Sequence, residues 1–503
     1  MSVSGGVDAP PAGPEGGGGG PGGLKTSAAR GGAAVVGSRL VVQFLTLAVT
    51  FLVARILSPH DYAVLTCAAV FLAVADTLSV AGIGPALVQK PHLGEGDLEE
   101  GFTLSLGLSL AFFAALFAAA GPLAAYFRYP ELKAVVRVCS LTLLLHPFRT
   151  VSSAVLERQV RLGRHSAIFT ASAVAQSGAN LAAALAGLGY WTLVISYCVA
   201  RVLDTAAFSW LAGWKPRLRR PGPSSRGLLR FGLHVTWTTL LWLACSQSDF
   251  AIAAKLVGPE SLGYYGLAFQ IILLPTTRLA GSFNQVAYTV FCRLQDRRDL
   301  VRDWYLRLAG LMGAAVLPVF AGIALTAGDG LAVVLGPKWA PAVTPLRWLC
   351  LPGYVLFLMT TLLPVMNALG RADLAAKHNA AYTLVMPAAF YLLGRRYGLV
   401  GICAAWAVCY PVVSAALVSL SRPVLGFGFR ELARSQLPAL ASAALMAAAV
   451  LGVQRALPGA GLGPQRLAAG VAAGAAVYAA AVLALARKTV GRDLSALVKA
   501  FKG

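Results

Sequence analysis

The sequence predicts an all-α polytopic membrane protein with about fourteen transmembrane helices. Three observations predict it. Of 503 residues, 57% are hydrophobic and only 12% are charged, against roughly 25% charged in a soluble domain. Apolar runs close to the ~20 residues a helix needs to cross the hydrocarbon layer recur from residue 31 to residue 486. Between them, Lys and Arg collect in short gaps. So few charges leave too little polar surface for a soluble protein of this length, which excludes soluble enzymes. The net charge of +22 does not point to nucleic acid, because the basic residues form no face interleaved with aromatics.

Taken in order, residues 1–30 are rich in Gly, Pro and Ala and read as a disordered cytoplasmic tail. Six spans, from 31–53 to 190–212, make an N-terminal lobe over 31–212. A basic cytoplasmic linker, 213–226, carries Lys215, Arg217, Arg219, Arg220 and Arg226. Six further spans fall within 227–421, and two extra helices with a second cytoplasmic tail occupy 422–503. With the N-terminus inside, cytoplasmic gaps hold a roughly three-fold excess of Lys and Arg over the opposite side. Both termini are therefore expected in the cytoplasm, and the protein in the cell inner (plasma) membrane. The acidic gap at 89–100 is an exception, although acidic residues weigh little in that rule.

An internal repeat supports the two lobes. Ala54-Arg-Ile-Leu-Ser-Pro59 follows the first span and Ala254-Lys-Leu-Val-Gly-Pro259 the seventh, displaced by 200 residues. Each copy ends a helix on a basic residue, turns at Pro, and enters the next span through Tyr62 or Tyr264. Six intervening helices give both copies the same orientation, which implies a pseudo-two-fold axis along the membrane normal.

Charges inside apolar runs are candidate functional groups, because hydrocarbon penalises them unless they face a cavity or a partner. Arg39, Asp76, Arg137, Arg149, Arg201, Asp204 and Arg278 lie within spans, and Asp249 lies near a helix end. Arg201 and Asp204, at i and i+3, read as a structural ion pair. Arg278, Arg39, Arg149 and Arg137 form a candidate cationic cavity. The alternatives are that Arg278 caps a neighbouring helix and that Arg39 and Arg149 snorkel to the cytoplasmic face. Arginine suits a pyrophosphate, since its planar fork makes paired hydrogen bonds and keeps its charge when desolvated. Asp76 is a candidate coupling site, the alternative being that it neutralises one of the arginines.

Gln176 with Asn180, Asn284 with Gln285, and Asn367 read as interhelical glue or as sugar contacts. His146 and His234 read as core histidines. The eight cysteines sit mostly within apolar runs and form no CxxC pair, so packing explains them. Gly82-Ile-Gly-Pro85, Pro318, Pro364 and Pro387 mark helix breaks. No nucleotide-binding loop, hydrolase motif, metal motif or cofactor motif appears, and an enzyme is not expected.

Ala54-Arg-Ile-Leu-Ser-Pro-His-Asp-Tyr62 and Gly82-Ile-Gly-Pro-Ala-Leu-Val-Gln89 resemble the first half of Wzx-type oligosaccharide flippases. The likeness is to the polysaccharide-transporter branch (colanic acid and teichuronic acid exporters) of the MOP superfamily. Arg230-Phe-Gly232, Ser248-Asp-Phe250, Leu262-Gly-Tyr-Tyr265, Pro275 and Leu335-Gly-Pro-Lys-Trp339 extend it to roughly residues 30–425. Leu294-Gln-Asp-Arg-Arg298 departs from the pattern where a Pro-containing helix end is expected. The resemblance implies two six-helix lobes around a central cavity open to one side at a time. It also implies a cargo: polyprenyl-pyrophosphate-linked repeat units moved from the cytoplasmic to the periplasmic leaflet, for exopolysaccharide, capsule or O-antigen (lipopolysaccharide) synthesis. Expected partners are the lipid-linked oligosaccharide, anionic membrane lipid, and polysaccharide polymerase and export machinery, with no nucleic acid. Competing readings are a lipid-II-type flippase, a MATE-like small-molecule exporter, and a non-transporting scaffold.

Overall fold

The computed structural model describes residues 42–486, apart from 44, 81, 91–92, 159–161, 221, 294–296 and 458–462. The two tails and Arg39 lie outside the described residues. The described chain is helical and contains no strand. Its first half holds α1 (Leu45–Ile56), α2 (Pro59–Val80), α3 (Ile83–Gln89), α4 (Glu95–Phe127), α5 (Leu132–Ser140), α6 (His146–Arg158), α7 (Leu162–Leu185) and α8 (Trp191–Ala212). Then come α9 (Pro223–Ser246), α10 (Ser248–Leu256), α11 (Pro259–Arg293), α12 (Arg298–Val334), α13 (Val343–Ala368), α14 (Ala372–Ala404) and α15 (Tyr410–Leu420). The chain closes with the single turn α16 (Arg422–Leu425) and the long α17 (Phe429–Ala456) and α18 (Pro464–Ala486). Nine segments among the described residues are long and apolar enough to cross a membrane. In hydrocarbon only structures that satisfy every backbone group internally are stable, so such runs become helices.

Local chemistry explains the ends and breaks. The acidic gap that departed from the charge rule is the first turn of α4. Asp97 accepts the Gly94 N–H at 3.1 Å and pairs with Lys90 at 2.7 Å, where negative charge complements the helix dipole. Glu431 accepts the Gly428 N–H at 3.0 Å and starts α17 the same way. α2 and α3 break at Gly82, whose φ of 63° suits glycine. A Cβ there would lie 2.5 Å from the Gly232 carbonyl oxygen, so α9 approaches at backbone distance. A 3₁₀ stretch, Leu141–Leu145, joins α5 to α6. Gly398, at φ 59° and ψ −137°, divides α14 into two helices. A π-helical turn, Ala405–Cys409, then leads into α15.

The two copies of the repeat meet. Pro59 and Pro259 each begin a helix, α2 and α11, and a Cβ on Gly263 would lie 1.9 Å from the Pro59 carbonyl oxygen. Trp339 is fully buried and sits between Tyr62 and Tyr264, edge-on to both at centroid distances of 5.5 and 6.0 Å. Its Nε1 donates to the Ala54 carbonyl at 2.8 Å. The basic residues of the two copies reach across reciprocally. Arg55 Nη1 donates to the Val333 carbonyl at 3.3 Å, and Lys255 Nζ to the Tyr126 carbonyl at 2.7 Å. Val333 and Tyr126 are the penultimate residues of α12 and α4. Each cation thus caps the carbonyl end of a helix from the other half of the sequence, where the dipole favours positive charge.

Candidate functional site

A charged cluster lies inside the first half, among α2, α6 and α8. Asp76 comes from α2. His146 opens α6 directly after the 3₁₀ stretch, and Arg149 follows one turn later. Tyr197, Arg201 and Asp204 recur at i, i+4 and i+7, which puts them on one face of α8. Arg201 Nη2 donates to Asp76 Oδ2 at 3.2 Å, and Tyr197 Oη lies 3.5 Å from the same oxygen. His146 Nε2 lies 3.1 Å from Asp76 Oδ1, in ion-pair range although not aligned as a hydrogen bond. The Arg201 guanidinium also stacks over the Tyr197 ring at 5.1 Å.

The remaining charges are less completely matched. Arg149 lies over the Phe208 ring at 5.8 Å and Arg137 over Phe117 at 4.7 Å. The buried Nε atoms of both, and Oδ1 of Asp204, have no hydrogen-bond partner. The side chains that act electrostatically on Arg149 include Arg201, Asp204 and Asp76. Arg149 and Arg201 stand against Asp76 and Asp204 in this cluster, with His146 beside Asp76.

The structure corrects one expectation. Arg201 pairs with Asp76, across helices, and not with Asp204, its i+3 neighbour. An intrahelical pair would leave the Asp76 carboxylate uncompensated among apolar helices, and inter-helix pairing spares that cost. His146, read from sequence as a core histidine, belongs to the cluster. The signal that could have found it is the His-Pro step at the end of an apolar run, beside a 3₁₀ turn of the kind that marks irregular functional segments. Arg39 lies outside the described residues, as do the side chains of Arg278, His234, Asn284 and Gln285. Asn180, with Gln176 on α7, has a buried Oδ1 without a partner, whereas Asn367 is exposed.

A second buried carboxylate lies in the other half. Asp249, in the first turn of α10, is fully buried. Its Oδ1 accepts the Phe250 N–H at 2.8 Å. Its Oδ2 accepts Tyr265 Oη at 2.5 Å and Trp406 Nε1 at 3.2 Å, and that indole also lies 2.9 Å from Tyr265 Oη. Three elements, α10, α11 and the π turn, converge there on one carboxylate with neutral donors only. Sequence reasoning noted Asp249 but had no sign of Trp406, 157 residues away.

The linker is also anchored. Glu100, nearly buried, accepts Ser225 N–H at 2.9 Å and Ser225 Oγ at 2.6 Å. Arg219 pairs with Glu99 at 3.5 Å, and its backbone N–H donates to Thr103 Oγ1 at 3.0 Å. The acidic start of α4 thus holds the basic linker and the first turn of α9.

Residues 52–344, more than half of the chain, match the family described as polysaccharide biosynthesis protein. The lipopolysaccharide biosynthesis protein WzxC of Escherichia coli (strain K12) is 23% identical over 386 residues, covering 75% of this chain and 77% of that protein. The teichuronic acid biosynthesis protein TuaB of Bacillus subtilis (strain 168) is 23% identical over 352 residues, covering 69% and 71%. Among solved structures, the lipid II flippase MurJ in an inward closed conformation superposes with a TM-score of 0.72, covering 90% of this chain and 99% of that one. At 12% identity that likeness is one of fold, that of a polytopic helical membrane protein.

Proposed function

Because the chain belongs to the family of polysaccharide biosynthesis proteins, we propose that it is a flippase for polyprenyl-pyrophosphate-linked oligosaccharide repeat units. It carries them from the cytoplasmic to the periplasmic leaflet of the inner membrane, and it does so without catalysing a covalent step. The family match carries this reading, and the arginines inside apolar helices supply the chemistry. Arg137 and Arg149 each keep an unused buried Nε donor. With Arg39 and Arg278, they offer guanidinium forks for a pyrophosphate. Arg201 joins them when it exchanges Asp76 for the substrate. Asp76 is then free to act as the coupling site, with His146 beside it, so that substrate binding and coupling meet in one cluster.

Alternating access requires two lobes, 31–212 and 227–421, that rock about their shared contacts, with 422–503 as an addition and 213–226 as the connection. Support comes from the reciprocal capping by Arg55 and Lys255. Matched contacts of this kind close one membrane face, and they break together when the lobes separate there. On the opposite face, where the linker lies, the approach of Gly82 to Gly232 and the Glu100–Ser225 bonds do the same. In this reading that second face is the cytoplasmic one, and both termini belong to it.

The test is a deletion strain whose lipid-linked glycans are extracted and weighed. Retention of repeat units on the cytoplasmic leaflet, with loss of surface polysaccharide, is expected, and the mass then identifies the cargo. Complementation with an Arg137→Gln, Arg149→Gln double variant should leave membrane abundance unchanged and lower export at least about tenfold, the consequence of losing charge-assisted bonds to a desolvated anion. Normal polysaccharide output in the deletion strain would overturn the assignment.

A further inference from the structure

Away from the charged cluster, a groove of about 370 Å³ opens between α14 and the π turn with α15, within the size range of small-molecule sites. Its walls are apolar: Val385 on one side, Val408, Val412 and Leu420 on the other. Those four side chains are 42–63% exposed, so in a bilayer the groove faces hydrocarbon. The π turn supplies Val408 and Cys409 to the wall, and π-bulges of this kind gather at functional sites. The polar end holds Lys377 and His378. His378 is 94% buried by its 6% exposure, yet its Nδ1 has no hydrogen-bond partner. Around that end Arg371 and Lys377 share one acid, Asp373, at 2.8 and 4.0 Å, which leaves a surplus positive charge.

We propose that this groove is a binding site for one anionic phospholipid, with an acyl chain between α14 and α15 and the phosphate on Lys377 and His378. Dimensions favour a phospholipid over a long polyprenyl chain. From Lys377 to Val385 the groove follows α14 for eight residues, about 12 Å at 1.5 Å per residue. That is about one leaflet of a ~30 Å hydrocarbon layer, so a long polyprenyl chain would outrun it. The polar end lies at the α13–α14 turn. Following the chain across from the start of α9, that turn falls on the same face as the basic linker, the face expected to meet anionic lipid. The ligand would satisfy His378 Nδ1 and the uncompensated cation together, and it would brace α14 against the π turn and α15.

Native mass spectrometry of the full-length protein in mild detergent tests the site, with phosphatidylglycerol, phosphatidylcholine and a polyprenyl phosphate offered in competition. One phosphatidylglycerol should be retained in preference to the other two. Val412→Trp, which fills the groove from an exposed position, should abolish that retention. Lys377→Gln, a surface change that leaves the packing intact, should cut the preference over phosphatidylcholine about fivefold, and His378→Phe should lower it too. Equal retention of the two phospholipids, preferential retention of the polyprenyl phosphate, or undiminished binding by the Val412→Trp variant would each overturn the proposal.

Discussion

Asp76 in the first half of the chain and Asp249 in the second each place a carboxylate among apolar helices, with partners of different kinds. Asp249 has no exposure, and its oxygens accept from a phenol, an indole and a backbone N–H. Asp76 keeps 18% of its side chain exposed and is held by Arg201, itself 28% exposed, and by His146. A carboxylate saturated by neutral donors from three packed elements acts as a hub, because releasing any donor strands a buried polar group. A carboxylate balanced by cations can change partners, since Arg201 is satisfied equally by another anion. The same residue type therefore does two jobs, and its neighbours decide which.

The largest effect on stability should come from Asp249→Ala. It strands the Tyr265 hydroxyl and the Trp406 indole and should cost about 2–4 kcal/mol, read as a lower unfolding temperature of the detergent-solubilised protein. Asp249→Asn keeps an acceptor and should cost less. Equal unfolding temperatures for Asp249→Ala and the parent would remove the hub from the comparison.

Next comes Gly263→Ala, whose Cβ would fall 1.9 Å from a backbone oxygen. Forcing α2 and α11 apart should cost about 1–3 kcal/mol. Gly266→Ala meets only the Thr66 hydroxyl at 2.9 Å, a group that can rotate, so its unfolding temperature should fall less. A smaller effect, about 1 kcal/mol, is expected of Trp339→Phe. It keeps the ring between Tyr62 and Tyr264 but loses the bond to Ala54, as the same thermal measurement would record.

Arg201→Gln keeps an amide donor for Asp76 and leaves His146 beside it, so it should lower the unfolding temperature less than Asp249→Ala does, while export of polysaccharide in the complemented deletion strain falls. If the variant instead unfolds as readily as Asp249→Ala, then Asp76 is a hub as well and its exchange of partners is wrong.

Much of this was legible in the residues. Apolar run length located α4, α8, α12, α13, α17 and α18. The Ala54–Pro59 and Ala254–Pro259 copies pointed to two segments that the fold brings face to face. Asp76, Arg137, Arg149 and Arg201 stood out because ionic groups are rare in apolar runs. What did not show was how they combine. The i, i+3 spacing of Arg201 and Asp204 suggested a local pair, but spacing along one helix says nothing of a stronger partner on another. His146 gave only a weak signal, and Glu100, within an acidic gap set aside for orientation, turned out to anchor the linker.

Composition along the chain is enough to show that it is helical, that its helices cross a membrane, and which ionic groups they carry inside. Those properties follow from local composition, because hydrocarbon demands backbone bonds closed within each segment. Folding in three dimensions settles that Asp76 meets Arg201, that Trp406 reaches Asp249, and that Arg55 and Lys255 each cap a helix from the other half of the chain. Such contacts depend on the rotation of each helix about its own axis and on which faces pack together. Both are set by side-chain fit summed over many helices, so residues more than a hundred positions apart become neighbours with nothing nearby in the chain to announce it.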